Sequence, residues 1–273
     1  MDLSQSPVAD PLIHPTAVIA PGAVIGEGTR IGPYAVIGAQ VRLGRDNVVG
    51  PHAVIDGITT LGDRNRIFQG ASIGAEPQHD AWTGGPAPLI MGDDNVVREF
   101  ATLHGGVAAP TRVGSHNMFM TGAHVAHDCR IGDHVHMANA ATLAGHVVVG
   151  DHAWLSGLTA VHQHSRIGEY AFVAGGAIVT QDVPPFCLVQ GDRARLVSLN
   201  AVGLRRAGFA AKDLSALRKA FRTLFGDPAP LAERLDAVEA WAEGPALRLV
   251  AFLRAPGRTP ITTLRRRSAR QAA

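Results

Sequence analysis

Aliphatic residues return every six positions along most of this chain. One series runs Ile13, Ile19, Ile25, Ile31, Ile37, Leu43, Val49, Ile55, Leu61, Ile67 and Ile73, with no polar residue among them. It resumes as Met91, Val97 and Leu103. It then continues through Val113, Phe119, Val125, Ile131, Met137, Leu143, Val149, Leu155, Val161, Ile167, Val173 and Val179. A period of six matches neither the 3.6 of an amphipathic helix nor the 2 of an alternating strand. It predicts a strand of a few residues followed by a sharp corner. Three such units close a triangular coil of about 18 residues, and stacked coils form a parallel β-helix with a ladder of inward aliphatic side chains. Glycine, asparagine and aspartate fall in the remaining slots, where corners demand positive φ. The twenty-six hexads make close to nine coils. Periodicity does not set the hand of the coil, and β-crossovers in general favour the right hand.

Two segments interrupt the repeat. Residues 75–90 contain Pro77, Pro86, Pro88 and Gly84-Gly85, and residues 104–112 contain Gly105-Gly106 and Pro110. Both read as loops thrown out from a rigid scaffold, where binding residues are often found. After Pro184-Pro185 the period changes. Leu214, Leu217, Phe221, Leu224 and Phe225 share one helical face, ended by Gly226 and Pro228. Leu231, Leu235, Val238 and Trp241 predict a second helix, and Leu247, Val250 and Leu253 a third. The chain therefore divides into a β-helical domain, residues 1–191, and a C-terminal helical domain with a basic tail, residues 192–273. The helices are expected to cover the end of the prism, whose strand edges are otherwise unpaired.

Composition fits this picture. The chain is 46% hydrophobic but only 5% aromatic, with 31 glycines, as expected of a core of small aliphatic residues and many turns. No secretory signal and no transmembrane run is visible, and Cys129 and Cys187 lack metal-ligand spacing, so a cytoplasmic protein with free thiols is expected. Net charge is +2, but Arg258, Arg265, Arg266, Arg267 and Arg270 crowd the last sixteen residues without an acid. That tail reads as a solvated segment or as a handle for an acidic partner. Basic groups without interleaved aromatics argue against a nucleic-acid binder.

Ten of thirteen histidines lie between residues 104 and 164. His127, His146 and His162 are spaced by about one coil, and so are Asp128, His146 and His164, which should gather them near one edge on successive coils. The spacing admits three readings. They are an exposed polar ladder, a zinc site of the kind that needs ligands at about 2.0–2.1 Å, and a cluster for acid–base catalysis near neutral pH.

The run Ala123-His124-Val125-Ala126-His127-Asp128-Cys129 bears on this choice. It occurs with Leu143-Ala144-Gly145-His146-Val147, Thr159-Ala160-Val161-His162-Gln163, Gln181-Asp182-Val183-Pro184-Pro185 and Gln190-Gly191. In this order the runs resemble the hexapeptide-repeat acyltransferases that transfer an acyl group from acyl carrier protein to UDP-N-acetylglucosamine. The likeness covers roughly residues 10–225. It implies a left-handed β-helix, a homotrimer with its cleft between subunits, and the first step of lipid A synthesis. It assigns His127 as general base, the Gly145 backbone N–H to the oxyanion, and Asp128 as the group that orients the base. Adjacent strand residues point to opposite faces, so that last role requires a corner between His127 and Asp128. By the same likeness Gln78, His79, His124, His146, His162, Gln163, Asn200 and Arg206 bind substrate, and Gly175 sets acyl-chain length. No metal or bound cofactor is implied, because the acyl donor rides on the phosphopantetheine of acyl carrier protein. Arg166, Arg193 and Arg195 are candidate contacts to that acidic partner.

Departures from the family pattern collect in the nucleotide-sugar half. His79 replaces an acid and Ala81 a lysine in the first excursion, and Gly105 replaces the arginine after His104. In the helices Val202 replaces a glutamate and Ala207 an arginine. Losing a charged hydrogen-bond partner costs about 1.5–3 kcal/mol. Two other readings follow. One is a paralogue acylating a different or 3-amino nucleotide sugar, and the other is a non-catalytic trimeric scaffold that binds sugar nucleotide.

Overall fold

The computed structural model describes residues 12–264. Arg265, Arg266, Arg267 and Arg270 of the basic tail lie outside the described residues. The hexads form a parallel β-helix. Among the described residues the strands, mostly two residues long, make three sheets of nine, eight and ten strands. From Val18 to Val161 each strand pairs with the third one after it, so Val18 lies against Val36 and Ile31 against Val49. The first excursion lengthens one coil and sets Ser72 opposite Thr102, while the second sets Thr102 opposite His124. The ladder holds across both loops apart from a bulge between Ile73 and Ala75, where the first one leaves the prism.

The recurring aliphatic residues point inward and are almost all buried, from Ile31 to Val179. A second buried column lies two residues before each of them. It includes Ala35, Val41, Ala53, Ala71, Val135 and Ala177, together with Asn47, Asn65, Asn95 and Asn117. The periodicity did not disclose this column, because most of it is small or polar. The asparagine side-chain oxygens are satisfied along the axis. Asn47 Oδ1 accepts from Asn65 N at 2.8 Å, Asn65 Oδ1 from Asn95 N at 2.9 Å, and Asn117 Oδ1 from Val135 N at 2.7 Å. Buried polar groups persist when bonded in this way.

Beyond Val179, the strands Cys187–Gln190 and Arg195–Leu199 form an antiparallel hairpin on the ten-stranded sheet. Four helices follow: α1 (Ala201–Arg206), α2 (Ala211–Gly226), α3 (Leu231–Glu239) and α4 (Gly244–Arg254). The hydrophobic periodicity anticipates the last three. It misses α1, which has only six residues and takes its start from Asn200, whose side chain accepts from Gly203 N at 3.1 Å. The helices share a second core with Phe186, while Phe221 and Phe225 of α2 pack on the prism. The chain then returns as a strap, residues 255–264. Isolated bridges join Asp182 to Ile261 and Leu196 to Leu264, closing edges of the last coil.

The strap corrects one expectation. Arg166 is not an available surface contact, since its Nε lies 2.7 Å from the fully buried Asp182 and its Nη2 donates to Ala255 O. Arg195 is likewise engaged, with Thr263 and Gln181. Arg193 is exposed.

Candidate active site

A cavity of about 650 Å³ opens on one face of the prism, lined by Gln78, His79, Asp80 and Ala81 of the first excursion and by His124, His127, Thr142, Gly145 and Gln163 of successive coils. His127 and Asp128 occupy a corner. Asp128 has φ +60°, which turns its side chain to the same side as that of its neighbour. His127 Nδ1 then lies 2.7 Å from Asp128 Oδ2, and both residues are buried. The corner thus removes the strand-alternation objection to Asp128 as partner of His127.

The second excursion shapes this pair. Asp128 Oδ1 accepts from the amides of Ala108 and Ala109 at 2.8 and 2.6 Å, and Oδ2 accepts from Val107 N at 3.1 Å. Its own N–H donates to Thr111 Oγ1 at 2.9 Å. Burial works to raise the Asp128 pKa, but the bonds from His127 and the three amides outweigh it and hold the carboxyl below its ordinary value. An ionised carboxylate only accepts. His127 Nδ1 therefore carries the proton, and Nε2 offers a lone pair. That nitrogen faces Gly145, where a Cβ would stand 2.6 Å from it.

The other histidines differ in state. His124 bonds through Nδ1 to Thr102 Oγ1 at 2.8 Å, and burial, with His104 nearby, lowers its pKa to about 4, leaving it neutral at pH 7. His146 sits 5.2 Å from His127 between ring centroids, with Nε2 3.8 Å from Asp128 Oδ2. Burial lowers its pKa against the opposing pull of Asp128. His79 meets the His127 ring edge-on at 4.8 Å. Cys129 is no nucleophile: burial pushes its thiol up to about 12.

His127, Asp128 and His146 also bring three possible metal-ligand atoms within 4.8 Å of one another. The lone pairs of Asp128 are already directed at four donors, so the carboxylate is built as a hydrogen-bond acceptor for the base.

Several expected site residues lie elsewhere. His162 is exposed, with Nδ1 3.1 Å from Gln163 O, and neither it nor Gly175 lines the cavity. Asn200 and Arg206 line a second cavity, of about 690 Å³, with His136, Trp154, Tyr170 and Val202. That cavity belongs to the ten-stranded sheet, whereas His124, Thr142 and Ala160 belong to the nine-stranded one. One chain therefore does not join the two halves expected of a single substrate site. The contributions of Thr102 and Thr111 were missed from sequence. Thr102 sits in an outward slot and Thr111, fully buried, in the second inward column, and neither carries a periodic signal.

A hexapeptide prism with a carboxylate-held histidine facing a glycine in an open cleft defines a hexapeptide-repeat acyltransferase. The model for bacterial transferase hexapeptides (six repeats) matches residues 9–39 and 22–57, and that for UDP N-acetylglucosamine O-acyltransferase domain 2 matches residues 182–261. The acyl-[acyl-carrier-protein]–UDP-N-acetylglucosamine O-acyltransferase of Myxococcus xanthus is 50% identical over 85% of this chain and 91% of its own length; that of Halorhodospira halophila is 46% identical over 83% and 89%. Among solved structures, the Moraxella catarrhalis UDP-N-acetylglucosamine O-acyltransferase superposes with a TM-score of 0.90 at 34% identity, covering 92% of this chain and 99% of its own. The Campylobacter jejuni enzyme gives 0.87 at 36%, covering 93% and 100%. The chain belongs to the acyl-[acyl-carrier-protein]–UDP-N-acetylglucosamine O-acyltransferase family.

Proposed function

We propose that this protein transfers a (3-hydroxy)acyl group from acyl carrier protein to the 3-hydroxyl of UDP-N-acetylglucosamine, the first step of lipid A synthesis. The observation that carries the reading is the buried His127–Asp128 pair with Nε2 open to the cleft, in a chain of this family. His127 Nε2 takes the proton of the sugar hydroxyl as its oxygen attacks the thioester carbonyl. The tetrahedral oxyanion is met by the Gly145 N–H, which has no acceptor among the described residues. Collapse expels the phosphopantetheine thiolate, which recovers the proton from His127. Neither a metal nor a bound cofactor enters these steps.

The two cavities on separate faces support a homotrimer, in which Asn200 and Arg206 of one copy reach the His127 cleft of the next. In that arrangement His79, Asp80 and His146 contact the sugar, and His162 and Gln163 border the donor. No helix among the described residues is long and apolar enough to cross a membrane, and both cysteines are free, in keeping with a cytoplasmic reaction. His79 stands in the slot of a family acid, so the acceptor is the point the experiment tests. The purified protein incubated with 3-hydroxyacyl carrier protein and UDP-N-acetylglucosamine is expected to give a product heavier by one acyl group. Acylation only of a 3-amino analogue would replace this acceptor, and no acylation of either would leave the scaffold reading.

Gly175 carries the acyl-length proposal. A Cβ there meets only Gly157 O at 3.6 Å and Ser156 Cβ at 4.0 Å, so a larger side chain can extend into open space. Gly175→Met is expected to reduce transfer from the longest donors about tenfold or more, in line with the discrimination available from one or two methylenes, and to spare the shortest. Competing donors of graded length, resolved by product mass, check this; an unchanged length profile would return Gly175 to a purely structural role.

A further inference from the structure

The strap of residues 255–264 brings a cation to the rim of the His127 site that no hexad positions. Arg258 Nη1 lies 3.4 Å from His164 Nδ1, ninety-four residues away in sequence. The His164 ring stacks on that of His146 at 4.6 Å, and His146 lies 5.2 Å from His127. The guanidinium therefore stands two rings from the base. It is exposed, and among the described residues it has no carboxylate partner. Arg166 on the same face differs: it is locked to buried Asp182.

Position here does not depend on the Arg258 side chain. Its neighbours hold the strap. Thr259 Oγ1 donates to Asp182, Asp182 N donates to Pro260 O at 2.8 Å, and Thr262 N donates to Asp182 O at 2.9 Å. Ile261 bridges Asp182, and Leu264 bridges Leu196. A pinned backbone presents a long, charged, unpaired side chain beside imidazoles that hold no opposite charge. Burial and the neighbouring histidine, with Arg258 itself adding to them, keep His164 below its ordinary pKa, so the rim is a donor surface without a built-in counter-ion.

We propose that Arg258 binds a phosphate group of a substrate at the rim of the His127 cleft, with His164 beside it. The proposal rests on the acyl-transfer reading. In that reaction the reacting atoms, a sugar hydroxyl and a thioester, are neutral, and each substrate carries its phosphate some bonds away. The planar guanidinium fork suits two phosphate oxygens at once. The phosphate is either the diphosphate of the sugar nucleotide or the phosphodiester that joins the phosphopantetheine arm to its carrier.

The test uses the full-length protein and its Arg258→Gln and Arg258→Lys variants. Steady-state rates are measured with UDP-N-acetylglucosamine varied at saturating acyl carrier protein, then the reverse, then with free acyl-phosphopantetheine as donor. Arg258→Gln is expected to raise one KM about tenfold, as loss of a charge-assisted contact does, with kcat within about twofold and an unchanged unfolding midpoint. Arg258→Lys should recover part of the loss. A rise confined to the sugar nucleotide assigns the diphosphate. A rise with both the carrier protein and the free arm assigns the phosphate of the phosphopantetheine arm. A rise with the carrier protein but not the free arm overturns the proposal in favour of protein carboxylates, and unchanged KM values overturn it outright. Calorimetric titration with inorganic pyrophosphate needs no turnover. Binding about tenfold weaker in Arg258→Gln is expected, and equal binding sinks the proposal even if the acyl-transfer reading fails in the wild type.

Discussion

His127→Ala is expected to lower kcat by about 10²- to 10⁴-fold, the contribution of a positioned general base, with KM for the sugar nucleotide changing far less. No neighbour can replace the lost lone pair. His124 is tied to Thr102 and too weakly basic, and His146 is stacked against His164. The fold should survive, since Asp128 keeps its three amide donors from Val107, Ala108 and Ala109 when the imidazole is gone. Product formation by mass, alongside a denaturant unfolding curve, checks both halves. A loss of less than about tenfold in a folded protein would remove His127 from the role of base. The activity left in the variant reports how much the cleft achieves by positioning alone.

Gly145→Ala is expected to cost about 10²-fold in kcat by displacing the same base. A methyl group on Gly145 would stand 2.6 Å from His127 Nε2, closer than carbon and nitrogen pack. The ring cannot retreat, because Nδ1 is held at 2.7 Å by Asp128, which the 107–109 amides hold in turn. A misplacement of about 1 Å at a reacting group costs roughly that factor. Gly145 does not have positive φ, so alanine adds no backbone strain and the unfolding midpoint should change little. The decisive comparison is the double variant. If the methyl acts through His127, Gly145→Ala adds almost nothing to a chain already lacking the imidazole. Full additivity would mean that Gly145 acts on the oxyanion independently of the base.

The catalytic corner shows how far the residues could be read without coordinates. The run His124 to Cys129 marked the site by resemblance, and the coil length placed Asp128, His146 and His164 on one edge, where the rings of His146 and His164 do stack. The resemblance offered Asp128 as the partner of His127, but the geometry that lets them meet was not legible. It depends on a φ of +60° at Asp128, and aspartate adopts either sign of φ according to its context. The second inward column escaped for a different reason. Asn47, Asn65, Asn95 and Asn117 look like surface residues until the next coil supplies the amide that each Oδ1 accepts.

By itself the sequence determined the local repeat: strand, corner, strand, with an aliphatic residue inward every sixth position and helical spacing after the last coil. A polar side chain in those slots would lose its water without gaining a partner, so the pattern is strict and readable. Only the tertiary structure decided which distant segments meet. It folded residues 107–109 onto Asp128, set Asn200 and Arg206 on a different face from His127, and returned Arg258 to His164. Such contacts depend on where loops and the C-terminal strap come to rest against the prism. That is set by buried anchors such as Asp182 and by the ends of the sheets, and no period along the chain encodes it.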